Sequence, residues 1–213
     1  MNTEQLIRKS EDLILWFDKN IDGVEIQPEE RFRLAAGCLD VALEHHKAVI
    51  LLIKNHLYGS AFAIVRSLFE TYVRGIWLHR CASDLEIELF KGDKLKHKFD
   101  KLCADVEKAP YFNCGTLSSI KNRAWKAMNS YTHGGFLQIV RRNTESSIQP
   151  NYTEGEIIEV INNSNAFALF SVMAIASLSG NENLANAVLE KHMFLIRQDS
   201  NQGAQPDEPS ARR

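Results

Sequence analysis

The sequence predicts an all-α protein: a helical bundle in a single domain, built on a long central helical hairpin and followed by a disordered C-terminal tail. Three observations predict it. Apolar residues recur at helical spacing through most of the chain. Helix start and stop signals, not hairpin turns, separate these periodic segments. No stretch sustains the two-residue alternation of a strand, and no internal repeat recurs at a period of about 20 to 50 residues. At 213 residues and 45% hydrophobic content, the chain can bury one substantial core.

The first helix is expected over residues 4–20, where Leu6, Ile7, Leu13, Ile14, Trp16 and Phe17 form a stripe that ends before Asp22-Gly23. Pro28 with Glu29 and Glu30 reads as the next start, since proline is tolerated in a first turn and acids suit the positive end of the helix dipole. That helix continues to about Leu57. Tyr58-Gly59-Ser60 reads as a break with Ser60 placed to cap, and 61–81 resumes the pattern through Phe62, Val65, Phe69, Tyr72, Ile76 and Trp77. These two segments make the hairpin.

Residues 84–108 divide into two shorter charged helices around Gly92, and a loop at 109–115 leads to a helix capped by Thr116 or Ser118. It stops at Gly134-Gly135; a short segment to about Arg142 and a polar loop over 143–151 follow. Thr153 with Glu156 is a capping box for a helix that runs to Gly180. Residues 182–197 form the last helix. The domain therefore spans 1–197, and 198–213, rich in Gln, Ser, Pro and charge, lacks the apolar area to order itself.

Composition excludes several classes. With 25 basic and 27 acidic residues the net charge is −2, so no global field attracts nucleic acid and any such binding needs a local patch. Cys38, Cys81, Cys103 and Cys114 show no CxxC or zinc spacing and read as buried thiols in a reducing compartment. The N-terminus is polar and acidic, unlike a secretory signal. The apolar run over 166–178 is shorter than the roughly 20 residues of a bilayer span. A cytoplasmic chain without membrane association is the expectation.

Chemistry concentrates between Asn122 and Gly135, where Lys126, Asn129, Ser130 and His133 share one helical stripe, with Arg123 about one turn further back. A histidine in a last turn is explained by the helix dipole alone, or it is a catalytic group with this stripe beside it. Arg66, Glu70 and Arg74 repeat every four residues on a helix that is apolar elsewhere. They form an intrahelical salt-bridge ladder, or Glu70 orients a catalytic group while the arginines bind an anion. Metal chemistry has little support: no Glu is followed three residues on by His, and adjacent His45 and His46, near Asp40 and Glu44, diverge by about 100° on a helix. No cofactor fingerprint occurs. Arg141 and Arg142 after Phe136 are a local phosphate patch or simply an exposed helix end. Asp105 with Glu107, and Glu86 with Glu88, read as solvated faces.

The run from Ala63 to Trp77 containing Arg66, Glu70 and Arg74, together with Asn129-Ser130-Tyr131-Thr132-His133-Gly134-Gly135, resembles bacterial helical proteins of unknown function that are similar to HEPN domains. Those are the helical bundles of toxin and antiphage ribonucleases. The resemblance covers about residues 30–180. It implies metal-independent RNA cleavage in stress or phage defence, a homodimer with two motifs facing one cleft, and an antitoxin or defence-system partner. In HEPN ribonucleases an Arg precedes the His by four to six intervening residues. Here His133 matches, Lys126 has the right gap with the wrong side chain, and Arg123 has the right side chain with nine residues between. By the resemblance, His133 would move a proton, Lys126 or Arg123 would stabilise phosphorane-like charge, Asn129 and Ser130 would position phosphate, and Glu70 would orient His133. The competing expectation is a non-catalytic interaction module. Catalysis requires His133 exposed in a cleft with a cation nearby; the module places it buried and hydrogen-bonded to the helix of Arg66.

Overall fold

A computed structural model describes residues 2–110, 112 and 115–202. Its elements in order are α1 (Thr3–Ile21), α2 (Glu30–Lys54), α3 (Tyr58–Arg80), α4 (Asp84–Lys91), α5 (Phe99–Lys108), α6 (Thr116–Thr132), α7 (Phe136–Val140), α8 (Glu154–Ser179) and α9 (Glu182–Gln202). Among the described residues there is no strand, only an isolated antiparallel bridge between Asn143 and Ile148. The all-α architecture and the long hairpin are as the periodicity predicts.

The helix ends follow local chemistry. α1 and α4 open on capping boxes from Asn2 and Ser83, and α8 on the expected box of Thr153 and Glu156. The hairpin turn comes earlier than expected. α2 ends in a Schellman arrangement, with His56 in the left-handed region at φ 59° and Leu57 N–H on the Leu52 carbonyl at 2.8 Å. Ser60 therefore lies inside the first turn of α3 and does not cap it; the break signal, a histidine at a position usually held by glycine, was invisible to a search for glycine. The N-cap of α6 is Gly115, in the left-handed conformation, and not Thr116 or Ser118. Instead Glu107 of α5 accepts the Ser118 N–H at 2.8 Å, satisfying a first-turn donor from a neighbouring helix. α9 continues past residue 197 to Gln202, and the rest of the expected tail, 203–213, lies outside the described residues, as does Cys114.

α2 and α3 pack along their full length, with α8 laid across both and α1 and α9 closing its outer side. Their meeting is dry and close. Leu39, Ile50, Ile53, Leu68, Phe69, Trp77, Ile161 and Leu178 are essentially without solvent contact. At Gly75 the helices approach so nearly that an added Cβ would sit 2.8 Å from Leu39 Cγ and 3.1 Å from the Ala35 carbonyl oxygen. α8 is long and apolar enough to cross a membrane by length and composition, yet half of its most apolar window is buried inside the bundle. Its most buried side chains, from Ile157 to Leu178, face these neighbours.

Several sequence readings take a different place. His46 is fully buried in the core, its Nδ1 2.8 Å from Ser164 Oγ, while Asp40 and Glu44 are exposed, so the four do not gather. Among the described residues no three His, Cys, Asp or Glu side chains cluster as a metal site. The acidic pairs are structural ties more than solvated faces. Glu86 holds the α4 box and bonds His97 at 2.6 Å, Asp105 accepts from Trp77 Nε1 at 3.3 Å, and Glu107 caps α6. Burial pushes the thiols of Cys38 and Cys103 up to about 11 and about 12, leaving both unreactive.

Candidate functional site

α6 lies against α3 through Trp125, Tyr131 and Thr132: the Tyr131 ring meets Phe62 edge-on, and the Thr132 hydroxyl donates to the Ala63 carbonyl of α3 at 3.1 Å. This seam carries the chemistry. Arg66 projects from α3 and donates from Nη1 to His133 Nε2 at 2.6 Å. Its Nε and Nη2 both reach Glu70 Oε1, at 2.9 and 2.8 Å, one turn along the same helix. Its guanidinium carbon stands 4.7 Å from the Trp125 ring centroid. Trp125 in turn is stacked on Phe99 with an interplanar angle of 9°, and Phe99 meets Phe69 edge-on. An aromatic shelf therefore holds the flat face of the guanidinium while Glu70 fixes its edge.

His133 is the C-cap of α6, and its ring is exposed. Gly134 takes the left-handed conformation at φ 65°, and Gly135 N–H closes a Schellman bond to the Ser130 carbonyl at 2.7 Å. A Cβ on Gly135 would lie 2.6 Å from Ser130 Oγ, so the second glycine is required by close packing. Because arginine only donates, the contact to Nε2 uses that atom's lone pair and places the proton of the neutral ring on Nδ1. His133 is thus exposed beside a cation, as the catalytic expectation has it, and hydrogen-bonded to α3, as the module expectation has it, but not buried.

The remaining candidates divide. Arg66 and His133 come together, while Glu70 reaches Arg66 and not His133, an i,i+4 salt bridge within α3. Lys126 and Arg123 are exposed on α6, and make no hydrogen bond or ion pair among the described residues. Lys126 lies seven residues before His133, two turns back on the same side of α6, and no hydrogen bond joins the two. The Ser130 hydroxyl accepts Leu137 N–H at 2.9 Å, at the start of α7, and keeps its own O–H to donate. Asn129 lies between Trp125 and His133 on α6, its Oδ1 buried without a hydrogen-bond partner. Arg74 does not extend the ladder: it is half-buried without an ion pair to Glu70, and its charge acts on Cys38. Arg141 pairs with Glu156, which removes it from any phosphate patch and leaves Arg142 exposed.

Sequence reasoning missed Trp125 as the platform for Arg66. The available signal was its spacing, since Trp125, Asn129 and His133 recur every four residues on one flank of α6.

A family of unknown function, DUF6988, matches residues 39–194. The chain belongs to this family. Its DUF6988 region runs from within α2 into α9 and so contains the whole Arg66–Glu70–Trp125–His133 cluster. No characterised protein and no solved structure matches the chain.

Proposed function

We propose that this DUF6988 protein is a metal-independent ribonuclease of the HEPN type, cytoplasmic and homodimeric, acting in bacterial stress or phage defence, with Arg66 and His133 as its working pair. One observation carries the reading: an exposed histidine at a helix end has an arginine guanidinium 2.6 Å from its Nε2. The arginine absent from the expected interval on α6 is supplied in space by α3. Arginine's planar fork suits a phosphodiester in a way that lysine's point charge does not.

The chemistry follows from the pair. A phosphodiester takes the Arg66 guanidinium, which uncovers the Nε2 lone pair of His133. That nitrogen accepts the proton of the ribose 2′-hydroxyl as the 2′-oxygen attacks phosphorus; the bond to the 5′-oxygen breaks, and that oxygen leaves with a proton from solvent or from the second subunit's histidine. The products are a 2′,3′-cyclic phosphate and a 5′-hydroxyl. Arg66 offsets the charge that develops on the phosphorane oxygens, and Glu70 keeps Arg66 in place.

A second reading, a non-catalytic interaction module that takes an antitoxin or scaffold partner, has its own observation. Phe136, Ile139 and Val140 of α7 stand exposed directly after His133, a surface suited to a protein partner. RNA degradation with chelator present separates the two. Wild type cleaves and arrests growth on expression; His133→Ala and Arg66→Ala lose about a hundredfold in rate, Arg66→Lys retains part, and Lys126→Ala and Arg123→Ala stay near wild type. Folded wild type as inert as His133→Ala would sink the nuclease reading.

A further inference from the structure

α3 and α8 run side by side, and the first turns of α6 roof a cavity of about 430 Å³ between them. The contacts across it define its axis. Tyr72 faces Phe167 and Phe170 at ring-centroid distances of 5.6 and 6.3 Å. Eight residues further along α3, Arg80 Nη2 donates to Ser177 Oγ at 2.7 Å. Eight helical residues rise about 12 Å, so the space is an elongated slot and not a round pocket.

Its lining changes character along that axis. One end is aromatic, the middle is walled by Ile76 and Met173, and the far end carries Arg80, Ser177 and His79. Phe170 and Met173 keep 40% and 38% of their surface exposed, an apolar area large for residues on the wall of a concave site. Arg80 has no carboxylate within ion-pair distance among the described residues, its one hydrogen bond being to Ser177. Burial, with the charges of Arg80 and Arg31, holds His79 down to about 4, so it is neutral at ordinary pH and Arg80 supplies the charge at this end.

We propose that this slot binds a medium-length aliphatic carboxylate, its chain lying along the Tyr72–Phe170 wall and its head group on the Arg80 guanidinium and the Ser177 hydroxyl. Length selects an extended chain over a compact ring. A single cation selects a monoanion over a phosphate, which would call for more positive charge. The site is separate from the Arg66–His133 pair and does not depend on RNA cleavage.

Titration of the full chain with decanoate, followed by calorimetry and by Tm, tests it. The expected result is saturable one-to-one binding that raises Tm. Ala174→Phe, which fills the slot, abolishes it. Arg80→Gln, an exposed substitution that leaves folding intact, weakens decanoate by about tenfold while leaving binding of the uncharged decanol unchanged. No saturable binding to folded wild type overturns the proposal. So does binding that survives Ala174→Phe, or equal affinity for decanoate and decanol. Should Ala174→Phe fail to fold, Arg80→Gln with the decanol comparison still decides.

Discussion

Helix α3 has two seams of opposite character. Toward α2 it is dry: Gly75 lets the backbones close until Leu39 and Ala35 fill the space where a side chain would be. Toward α6 it is polar and partly wet: the side chains of Arg66 and Glu70 keep 20% and 23% of their surface exposed, and His133 is open to solvent. The first seam derives its strength from apolar area and close contact, so its residues are replaceable only by others of like volume. The second holds a part-buried charged cluster, Arg66 between Glu70 and the Trp125 ring with His133 at its open side. One helix thus separates the folding function from the candidate chemistry on opposite faces.

The largest effect should come from the dry seam. Leu39→Ala leaves a void opposite Gly75 and should cost about 3 kcal/mol in urea unfolding. Gly75→Ala places a methyl 2.8 Å from Leu39 Cγ and should cost about 2 kcal/mol by overpacking. Because the same space is involved, the double variant should be more stable than the sum of the two losses by about 1 kcal/mol or more. Additive losses would show that the close approach at Gly75 is not what limits the helix pair.

Much of this division was legible in the sequence. The stripes of α1, α2 and α3, the box at Thr153 and the stop at Gly134 each rest on neighbours within one helix, and these local patterns predict correctly. The contact that defines the candidate site spans 67 residues between Arg66 and His133, and spacing along a helix says nothing of it. Periodicity puts Lys126 and His133 on one stripe, but which cation meets the His133 ring depends on how α6 packs on α3, and there it is Arg66. Ser130 carries a second bond that spacing along α6 does not show. Its hydroxyl accepts Leu137 N–H, a bond set by the sharp Gly134-Gly135 turn, which only the backbone path reveals.

Acid should expose the interior before the polar seam. His46 is held down to about 3, chiefly by burial, against an ordinary value of 6.5. Between those values the unfolded chain binds a proton that the folded chain refuses, so stability is full above about pH 6.5 and falls as pH drops toward 3. From pH 7 to pH 4.5 this one residue should remove about 2 kcal/mol. His79, held down to about 4 by burial and by Arg80 and Arg31, acts in the same direction with a smaller share because water screens it. Glu86, lowered to about 2 mainly by the His97 hydrogen bond, adds its loss only below its ordinary value of 4.5. His46→Asn, which keeps a donor toward Ser164, should flatten the slope of stability against pH between 4.5 and 6.5 by about one proton. An unchanged slope would place the acid sensitivity elsewhere.

The smallest effect on stability should come from the polar seam, and there the contrast is sharpest. Glu70→Gln removes the charge that holds Arg66 but keeps an acceptor one turn away. For a part-buried pair within one helix that keeps contact with solvent, the expected loss in urea unfolding is about 1 kcal/mol. A fully buried ion pair broken on one side would instead lose about 3 to 5 kcal/mol, so the measurement distinguishes a structural anchor from a cluster held for another purpose. Arg66 freed from Glu70 should also sit less firmly over Trp125, a contact of 4.7 Å, and Trp125 fluorescence should change even though stability changes little. A loss as large as that of Leu39→Ala would mean that the α3–α6 seam carries the fold as much as the dry one does, and that His133 sits beside Arg66 only to fasten the end of α6.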